Sequence, residues 1–188
     1  MFFDGQGHTI SGIYFDNTDY GYAGDGGGNY LGLFGYVPGG TIKNLGIKDS
    51  YFRGLEEVGA IVGYARTNNT TLPMLIENCY SEATVEARSY SGGLVGMAYD
   101  ALTRITDCYN AGEVTISSSY GGGIGGYMSS VTVSNCMNIG KVTATAYNHT
   151  GAICYSQGAT VQNCYYLEGS AKMKNGTLLY GMGKQTSD

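Results

Sequence analysis

The stretch GLVGMAYDALTRITDC, residues 93–108, contains the two short motifs that decide the fold. Its opening, 93–96, follows the pattern small residue, Leu or Ile, any residue, glycine. Its close, 105–108, follows the pattern aliphatic residue, any residue, Asn or Asp, then Cys. Both motifs return in the next stretch, GIGGYMSSVTVSNC, residues 123–136. A pair of motifs that recurs at a nearly fixed distance is the signature of a repeat protein.

The two motifs recur along most of the chain. The glycine motif occurs at 32–35, 60–63, 93–96 and 123–126, and a last copy at 152–155 ends in tyrosine. The second motif occurs at 42–45, 76–79, 105–108, 133–136 and 161–164, with a degenerate copy at 10–13. Successive copies lie 28–34 residues apart. The repeat unit is therefore too short to hold a core of its own and must stack on its neighbours.

Each repeat contains three short apolar segments, the third marked by Val85, Val114 and Val142. Gly, Asn and Ser separate these segments, and no stretch has a helical period, so each segment is expected to be a strand. Stacked copies would form parallel sheets with aliphatic residues facing inward. The sequence thus predicts an all-β fold, a parallel β-helix of about six coils with three short strands per coil. We expect the right-handed form, from the usual handedness of parallel crossovers.

The repeats make residues 1–188 a single solenoid domain. The chain enters patterned sequence at once, without a signal peptide, and we interpret it as a fragment of a longer protein. The last segment, 178–188, is expected to be a cap or a frayed tail. Loop insertions are expected at 66–75, which includes Pro73, and at 19–29.

Composition argues against two classes of partner. The net charge is −5, and the ten Lys and Arg residues are scattered. Binding to a phosphate backbone needs a basic stripe, so no nucleic acid is expected. No apolar run is long enough to span a bilayer, so no membrane insertion is expected.

Two columns of the repeat are expected to be structural ladders. The first is an amide column at a bend, because Asn tolerates left-handed backbone and bonds its own turn; it comprises Asn44, Asn78, Asp107, Asn135 and Asn163. The second is a thiol column, Cys79, Cys108, Cys136 and Cys164. Side chains on adjacent rungs keep Cβ atoms farther apart than a disulfide prefers, so we predict buried free thiols.

Two tyrosine columns are expected to face outward. One comprises Tyr36, Tyr64 and Tyr127, with Met97 and Ser156 in the remaining positions. The other comprises Tyr80, Tyr109 and Tyr165, with Met137 filling the gap. Stacked tyrosines suit contact with a glycan or a host extracellular protein, because each ring has an apolar face and a polar tip. The alternative is that they only cover an exposed sheet.

Residues for catalysis or metal binding are sparse. His8 and His149 lie at opposite ends of the array, and no Cys/His cluster has a metal-ligand spacing, so no triad, metal or cofactor is expected. Asp16, Asp19 and Asp25 share a loop that suggests a calcium site, although their spacing matches no known calcium loop. The rival function is a polysaccharide lyase or glycoside hydrolase, which would need facing carboxylates. The acids do not fall in one column: Asp49, Glu82, Glu86, Glu113 and Glu168.

The motif pair resembles GLUG repeats, and the resemblance covers about residues 2–168. The opening FDGQGHTISG, residues 3–12, and the late NCYYL, residues 163–167, are similar to sequences that flank such arrays. The resemblance implies a bacterial cell-surface or secreted protein, either adhesin-like or appended to immunoglobulin-A1-cleaving metallopeptidases. It transfers no catalytic residue, because the peptidase motif HExxH is absent. We therefore expect a non-catalytic spacer or adhesion module, joined to other domains of a larger parent chain.

Overall fold

The computed structural model describes residues 1–18, 29–67, 72–145, 148–173 and 184–186. The described residues form strands, bends and turns without a helix, and so no helix among them is long enough to cross a membrane. All strand pairs are parallel, and one isolated antiparallel bridge joins Ser129 to Gly158. The fold class, an all-β parallel solenoid, is confirmed.

The strands are numbered in chain order. The first thirteen are β1 Phe2–Asp4, β2 Thr9–Ser11, β3 Tyr14–Asp16, β4 Asn29–Leu31, β5 Phe34–Val37, β6 Gly40–Lys43, β7 Gly46–Lys48, β8 Tyr51–Gly54, β9 Glu56–Gly59, β10 Val62–Arg66, β11 Met74–Glu77, β12 Tyr80–Ser81 and β13 Thr84–Gly92. The others are β14 Val95–Tyr99, β15 Thr103–Thr106, β16 Tyr109–Asn110, β17 Val114–Gly122, β18 Gly125–Ser129, β19 Thr132–Ser134, β20 Met137–Asn138, β21 Val142–Ala144, β22 Asn148–Gly151, β23 Cys154–Gln157, β24 Thr160–Gln162, β25 Tyr165–Leu167, β26 Ala171–Met173 and β27 Lys184–Thr186.

The strands stack into four parallel sheets, which the chain visits in turn. Sheet A has the order β1-β6-β11-β15-β19-β24, and sheet B has the order β2-β7-β12-β16-β20-β25-β27. Sheet C follows β3-β8-β13-β17-β21-β26, with β4, β9 and β22 beside it, and sheet D follows β5-β10-β14-β18-β23. Sheet A has six rungs and therefore five full turns, close to the six coils expected. The right-handed sense stays a prediction.

The prediction of three strands per coil was wrong, because the chain passes through four sheets in each coil. Asn78 has a φ of 50°, which turns the chain between Ile76 on β11 and Tyr80 on β12. One apolar segment of the sequence is thus divided between sheets A and B. A left-handed residue at each repeat produces this division in every coil.

The core lies inside the four sheets and is built from stacked aliphatic columns. Ile42, Ile76, Ile105 and Val133 pair in register on sheet A, and each is fully buried. Burial of such a side chain contributes about 2 kcal/mol. Because ordering a coil costs about 1–2 kcal/mol per residue in backbone entropy, the stacked ladders between coils are needed for stability.

A polar ladder also runs inside the core, and the sequence reasoning missed it. Asn110 and Asn138 occupy one inward column of sheet B and are fully buried. The Asn110 amide donates to Asn138 Oδ1 at 2.9 Å and to the Gly112 carbonyl at 3.0 Å. A side chain at Gly93 or Gly123 would collide with these amides. The first glycine of the repeat motif therefore makes room for a buried amide.

The ends of the array are only partly described. Residues 184–186 form β27, which pairs with β25 and adds a rung to sheet B. The remaining residues of the expected tail, 178–183 and 187–188, lie outside the described residues. So does most of the expected 19–29 insertion, and with it Asp19 and Asp25 of the suggested calcium loop.

Candidate functional site

An unusual column of residues lies where each coil passes from sheet C to sheet D. We call it the aromatic bend: Tyr30, Glu57, Tyr90, Tyr120 and His149, which face one another on successive rungs. Each has left-handed backbone, with φ between 48° and 64°. Bulky side chains adopt this conformation rarely, and a non-glycine residue there costs of order 1–3 kcal/mol.

The first predicted tyrosine column runs beside this bend on sheet D. Tyr36, Tyr64, Met97 and Tyr127 pair in register, as expected. Ser156 does not fill the last position, so that part of the prediction was wrong. A register shift between β18 and β23 places Tyr155 opposite Tyr127, and Ser156 lies opposite Met128.

The two columns merge into one continuous surface, which we call the aromatic face. Its members are Tyr30, Tyr36, Tyr64, Tyr90, Tyr99, Tyr120, Tyr127, His149 and Tyr155. Tyr30 stacks on Tyr64 with ring centroids 5.2 Å apart, and Tyr90 stacks on Tyr120 at 5.1 Å and 2°. Tyr127 joins the columns, because its ring contacts Tyr90, Tyr99, Tyr120 and Tyr155. The rings thus form an unbroken aromatic strip along the solenoid axis.

The second glycine of the repeat motif makes this bend possible. A Cβ on Gly126 would lie 2.5 Å from the carbonyl carbon of Tyr90, and one on Gly96 would lie 2.5 Å from that of Glu57. Gly63 packs in the same way against the backbone of Tyr30. Because backbone atoms cannot rotate aside, only glycine lets sheet D approach the bend this closely.

Glu57 is the acid in the aromatic bend. Burial raises its pKa, and the neighbouring charge of Glu56 raises it further, to about 7. Its Oε2 is buried and has no hydrogen-bond partner among the described residues. Glu56 is different, since it pairs with Arg88 on the next rung. The aromatic bend therefore contains a carboxyl group that is easily kept protonated near neutral pH.

The phenols around Glu57 are neutral hydrogen-bonding groups. Burial raises the pKa of Tyr30, Tyr64 and Tyr90, so these hydroxyls keep their protons at physiological pH. Tyr30 and Tyr36 are nevertheless 39% and 41% exposed. The aromatic face thus offers ring faces for apolar contact and hydroxyls for hydrogen bonds.

The second predicted tyrosine column, on sheet B, has a different environment. Tyr80, Tyr109, Met137 and Tyr165 pair in register, and the Tyr80 and Tyr109 rings stack at 4.9 Å and 1°. The Tyr80 ring covers Gly46, and its hydroxyl bonds Thr9 Oγ1 at 2.8 Å. Lys48 lies over the same ring. Tyr80 thus has local partners on both its ring and its hydroxyl.

The amide column forms a hydrogen-bonded ladder with one gap. Asn78 Nδ2 donates to Asn44 Oδ1 at 2.7 Å, and Asn44 Nδ2 donates in turn to Asp4. Asn135 donates to Asp107 at 3.0 Å, and Asn163 donates to Asn135 at 3.3 Å. Asp107 has no amide to donate to Asn78, so the ladder is interrupted at that rung. The backbone of all five residues is left-handed, with φ between 50° and 54°.

The thiol column is buried and free of disulfides. Cys79, Cys108, Cys136 and Cys164 are free, as is Cys154, and all five are buried. Each column thiol lies near the carbonyl two residues earlier, as Cys108 does with Thr106 at 3.0 Å. Burial raises the pKa of Cys108 well above its usual range and that of Cys154 to about 12. Cys108 and Cys154 therefore act as small apolar groups.

Three acids of the rival enzyme hypothesis have structural partners. Lys48 pairs with Glu82 at 2.9 Å, Arg53 with Glu86 at 3.8 Å, and Lys141 with Glu113 on the adjacent rung. Asp16, the described member of the suggested calcium loop, pairs with Arg53 at 3.4 Å. Within the described residues no three metal-ligating groups gather.

The sequence analysis missed most of the aromatic bend, although a signal was present. Glu57, Tyr90, Tyr120 and His149 each lie three residues before the small residue that opens a glycine motif. Tyr30 lies two residues before Gly32 and breaks that spacing. Because the column mixes tyrosine, glutamate and histidine, it does not stand out by residue type.

Comparisons with known proteins agree with the fold. No protein-family model matches the chain, so the GLUG resemblance stays a prediction. Halomucin from Haloquadratum walsbyi (strain DSM 16790 / HBSQ001) is 33% identical over 155 residues. That match covers 69% of this chain and 2% of halomucin, so the chain spans a small part of that relative. The crystal structure of an immunoglobulin A1 protease-like protein from Bacteroides ovatus superposes with a TM-score of 0.68 at 20% identity. The superposition covers 97% of this chain and 66% of the Bacteroides ovatus chain. At this sequence identity the match bears on the fold alone.

Proposed function

We propose that this chain is a non-catalytic solenoid module of a surface or secreted protein, and that it binds glycans through its aromatic face. The observation that carries the proposal is the continuous strip of aromatic rings along five rungs, held on strained backbone. Sugar rings pack their apolar faces on tyrosine, and the phenol tips supply hydrogen bonds. A ligand that lies along the axis meets a new ring about every 4.8 Å.

The two similar proteins support the proposed surface or secreted location. One is named as a mucin, halomucin, and the other is described as immunoglobulin A1 protease-like. A solenoid repeat fits either protein as an appended domain. A bacterial source for this chain remains part of the proposal, as does its attachment to further domains.

The structure favours the aromatic face over the sheet B column as the binding surface. Tyr80 and Tyr109 lie parallel, and Tyr80 covers Gly46 and forms a hydrogen bond with Thr9. The rings of the aromatic face meet at several angles, from 2° between Tyr90 and Tyr120 to 83° between Tyr120 and Tyr127. Such an uneven surface presents both faces and edges to a ligand.

A glycan array that includes mucin glycans, plant polysaccharides and matrix proteins tests the proposal. Saturable binding should fall about tenfold or more in Tyr127→Ala and Tyr64→Ala, since one lost aromatic contact is worth about 1–3 kcal/mol. The matched control is Tyr109→Ala, which removes a stacked tyrosine from sheet B and should leave binding unchanged. Equal losses in all three variants would contradict an assignment to the aromatic face. Failure of the unmodified chain to bind any glycan would favour a spacer without adhesive function.

A further inference from the structure

Glu57 has a buried carboxyl oxygen, Oε2, that lacks a hydrogen-bond partner among the described residues. Its rung lies between those of Tyr30 and Tyr90, whose rings are therefore about two rung spacings, or ~10 Å, apart. The residue is partly buried, and its Oε2 receives no hydrogen bond from any described residue. A carboxylate that is buried without a partner is costly, so such a group in a stable fold invites an explanation.

Among the described residues, no salt bridge joins Glu57 to a cation. Glu56, its neighbour on β9, pairs with Arg88 on β13. Arg66 on β10 lies over the Tyr99 ring at 5.7 Å, and its charge also acts on Tyr30 and Tyr64. Among the groups that act on the Glu57 pKa, Glu56 is the charged one, and it is also negative. The one charge that acts on Glu57 is thus negative, and Tyr30 and Tyr90 flank Glu57 on the adjacent rungs.

Tyrosine rings add to this negative character. The faces of Tyr30, Tyr64 and Tyr90 carry the negative side of their quadrupoles, and such faces attract cations. A carboxylate and several ring faces together recognise an ammonium group better than either does alone, because the ammonium gains a charge-assisted hydrogen bond as well.

We infer that Glu57, with the rings of Tyr30, Tyr64 and Tyr90, forms a binding site for the protonated amine of an amino sugar. This inference rests on the proposed glycan-binding function and names the sugar chemistry that the aromatic face prefers. The neighbouring tyrosines hold the flanking sugar rings, and the Glu57 carboxylate accepts hydrogen bonds from the ammonium group. Since Oε2 is closed to solvent, an incoming amine reaches it after a flanking ring rotates. Tyr30, which is 39% exposed, has room to do so.

The test compares two oligosaccharides of equal length, one of glucosamine and one of N-acetylglucosamine. They differ in whether the nitrogen carries a positive charge. The chain should bind the glucosamine oligosaccharide about tenfold more tightly, as expected for one desolvated cation contact. Binding should also lower the pKa of the Glu57 carboxyl, followed by carbon NMR of the labelled side chain, whereas the acetylated ligand should leave it unchanged.

Glu57→Gln should reduce the preference to less than about twofold, because the amide keeps the shape and loses the charge. Glu113→Gln, which removes a surface carboxyl paired with Lys141, is the matched control and should keep the preference. Equal affinities for both oligosaccharides, with no shift of the Glu57 pKa, would overturn the inference and leave glycan binding intact. Absence of binding to either one, and to the glycan array, would instead remove the proposed function on which the inference rests. The NMR measurement uses the unmodified chain, so the inference stays testable even if Glu57→Gln folds poorly.

Discussion

Two columns of left-handed backbone recur along the array, and the bends that they form are built from opposite kinds of residue. The amide bend uses Asn in four coils, with φ between 50° and 54°. The aromatic bend uses Tyr, Glu and His, with φ between 48° and 64°. Asn is favoured in this conformation because its short amide bonds the local backbone, whereas tyrosine and glutamate gain nothing of the kind.

Each bend contains one acid, and the two acids have different surroundings. Asp107 is exposed and accepts hydrogen bonds from Thr106 at 2.9 Å and Asn135 at 3.0 Å. Glu57 is partly buried, and its Oε2 has no partner among the described residues. Local chemistry thus accounts for the amide bend, while strain and an unpaired acid in the aromatic bend point to selection for something other than stability.

The largest effect is expected at the glycine that supports the aromatic bend. Gly126→Ala places a methyl group 2.5 Å from the backbone of Tyr90, so sheets C and D must separate at that rung. The free energy of unfolding should fall by about 1–3 kcal/mol or more, as for other overpacked cores. Gly46→Ala is the control: its methyl group meets the Tyr80 ring, which can rotate away. Thermal melts should therefore show a much smaller loss for Gly46→Ala, and equal losses would argue against the importance of the bend.

Backbone strain is measured by comparing two substitutions at one position. Tyr120→Ala and Tyr120→Asn both remove the ring contacts with Tyr90, Tyr127 and Tyr155. Asn tolerates a φ near the 62° of Tyr120 better than Ala does. The Tyr120→Asn variant should therefore be about 1 kcal/mol more stable than the Tyr120→Ala variant. Chemical denaturation gives both values. An Ala variant as stable as the Asn variant would mean that the bend carries little strain.

The acid of the aromatic bend should make stability depend on pH. Folding raises the Glu57 pKa from about 4.5 to about 7, so the folded chain binds more protons than the unfolded chain between these values. The stabilisation that protonated Glu57 contributes is therefore complete below its unfolded pKa of about 4.5. It is lost as the pH rises through the folded pKa of about 7. Denaturation at a series of pH values should show this decline, and Glu57→Gln should flatten it. A decline that persists unchanged in Glu57→Gln would assign it to other groups.

The smallest effect is expected at the acid of the amide bend. Asp107→Asn supplies the missing amide donor to Asn78 and completes the ladder. One net hydrogen bond at an exposed position is worth about 0.5–1 kcal/mol. Chemical denaturation should show an increase in the free energy of unfolding of that size. A loss of stability would mean that the carboxylate of Asp107 is needed by Thr106 or Asn135.

Repetition made much of this structure predictable. Positions that recur in every coil, such as Ile76, Asn78 and Cys79, are placed by their spacing alone, because stacked coils repeat one environment. The fourth sheet was missed, although a bend was expected at Asn78, because the strand after the bend, Tyr80–Ser81, is too short to show a pattern of its own. The Ser156 assignment failed at the register shift between β18 and β23, where the last glycine motif has Tyr155 in place of its final glycine.

The candidate site was harder to predict than the fold. Tyr36, Tyr64 and Tyr127 were found because they follow the glycine motif at fixed distance, but their partners come from the variable segment before it. A bulge between Ala87 and Ser89 changes the count of residues on β13 relative to β17. The unpartnered state of Glu57 depends on burial and on the pairing of Arg88 with Glu56, and neither can be read from spacing.

The hydrogen bonds between rungs, such as those from Tyr165 to Cys136 at 2.9 Å and from Asn135 to Asp107 at 3.0 Å, run along the solenoid axis. A pulling force on the two ends would therefore load these bonds along their length, and the coil at the end would detach first. The coil from Cys136 to Cys164 contains 28 residues, which span about 95 Å when extended, whereas a folded coil occupies about 4.8 Å. Each detached coil would thus lengthen the chain by nearly twenty times its folded height. Under flow, such a domain would yield stepwise and keep its remaining coils folded.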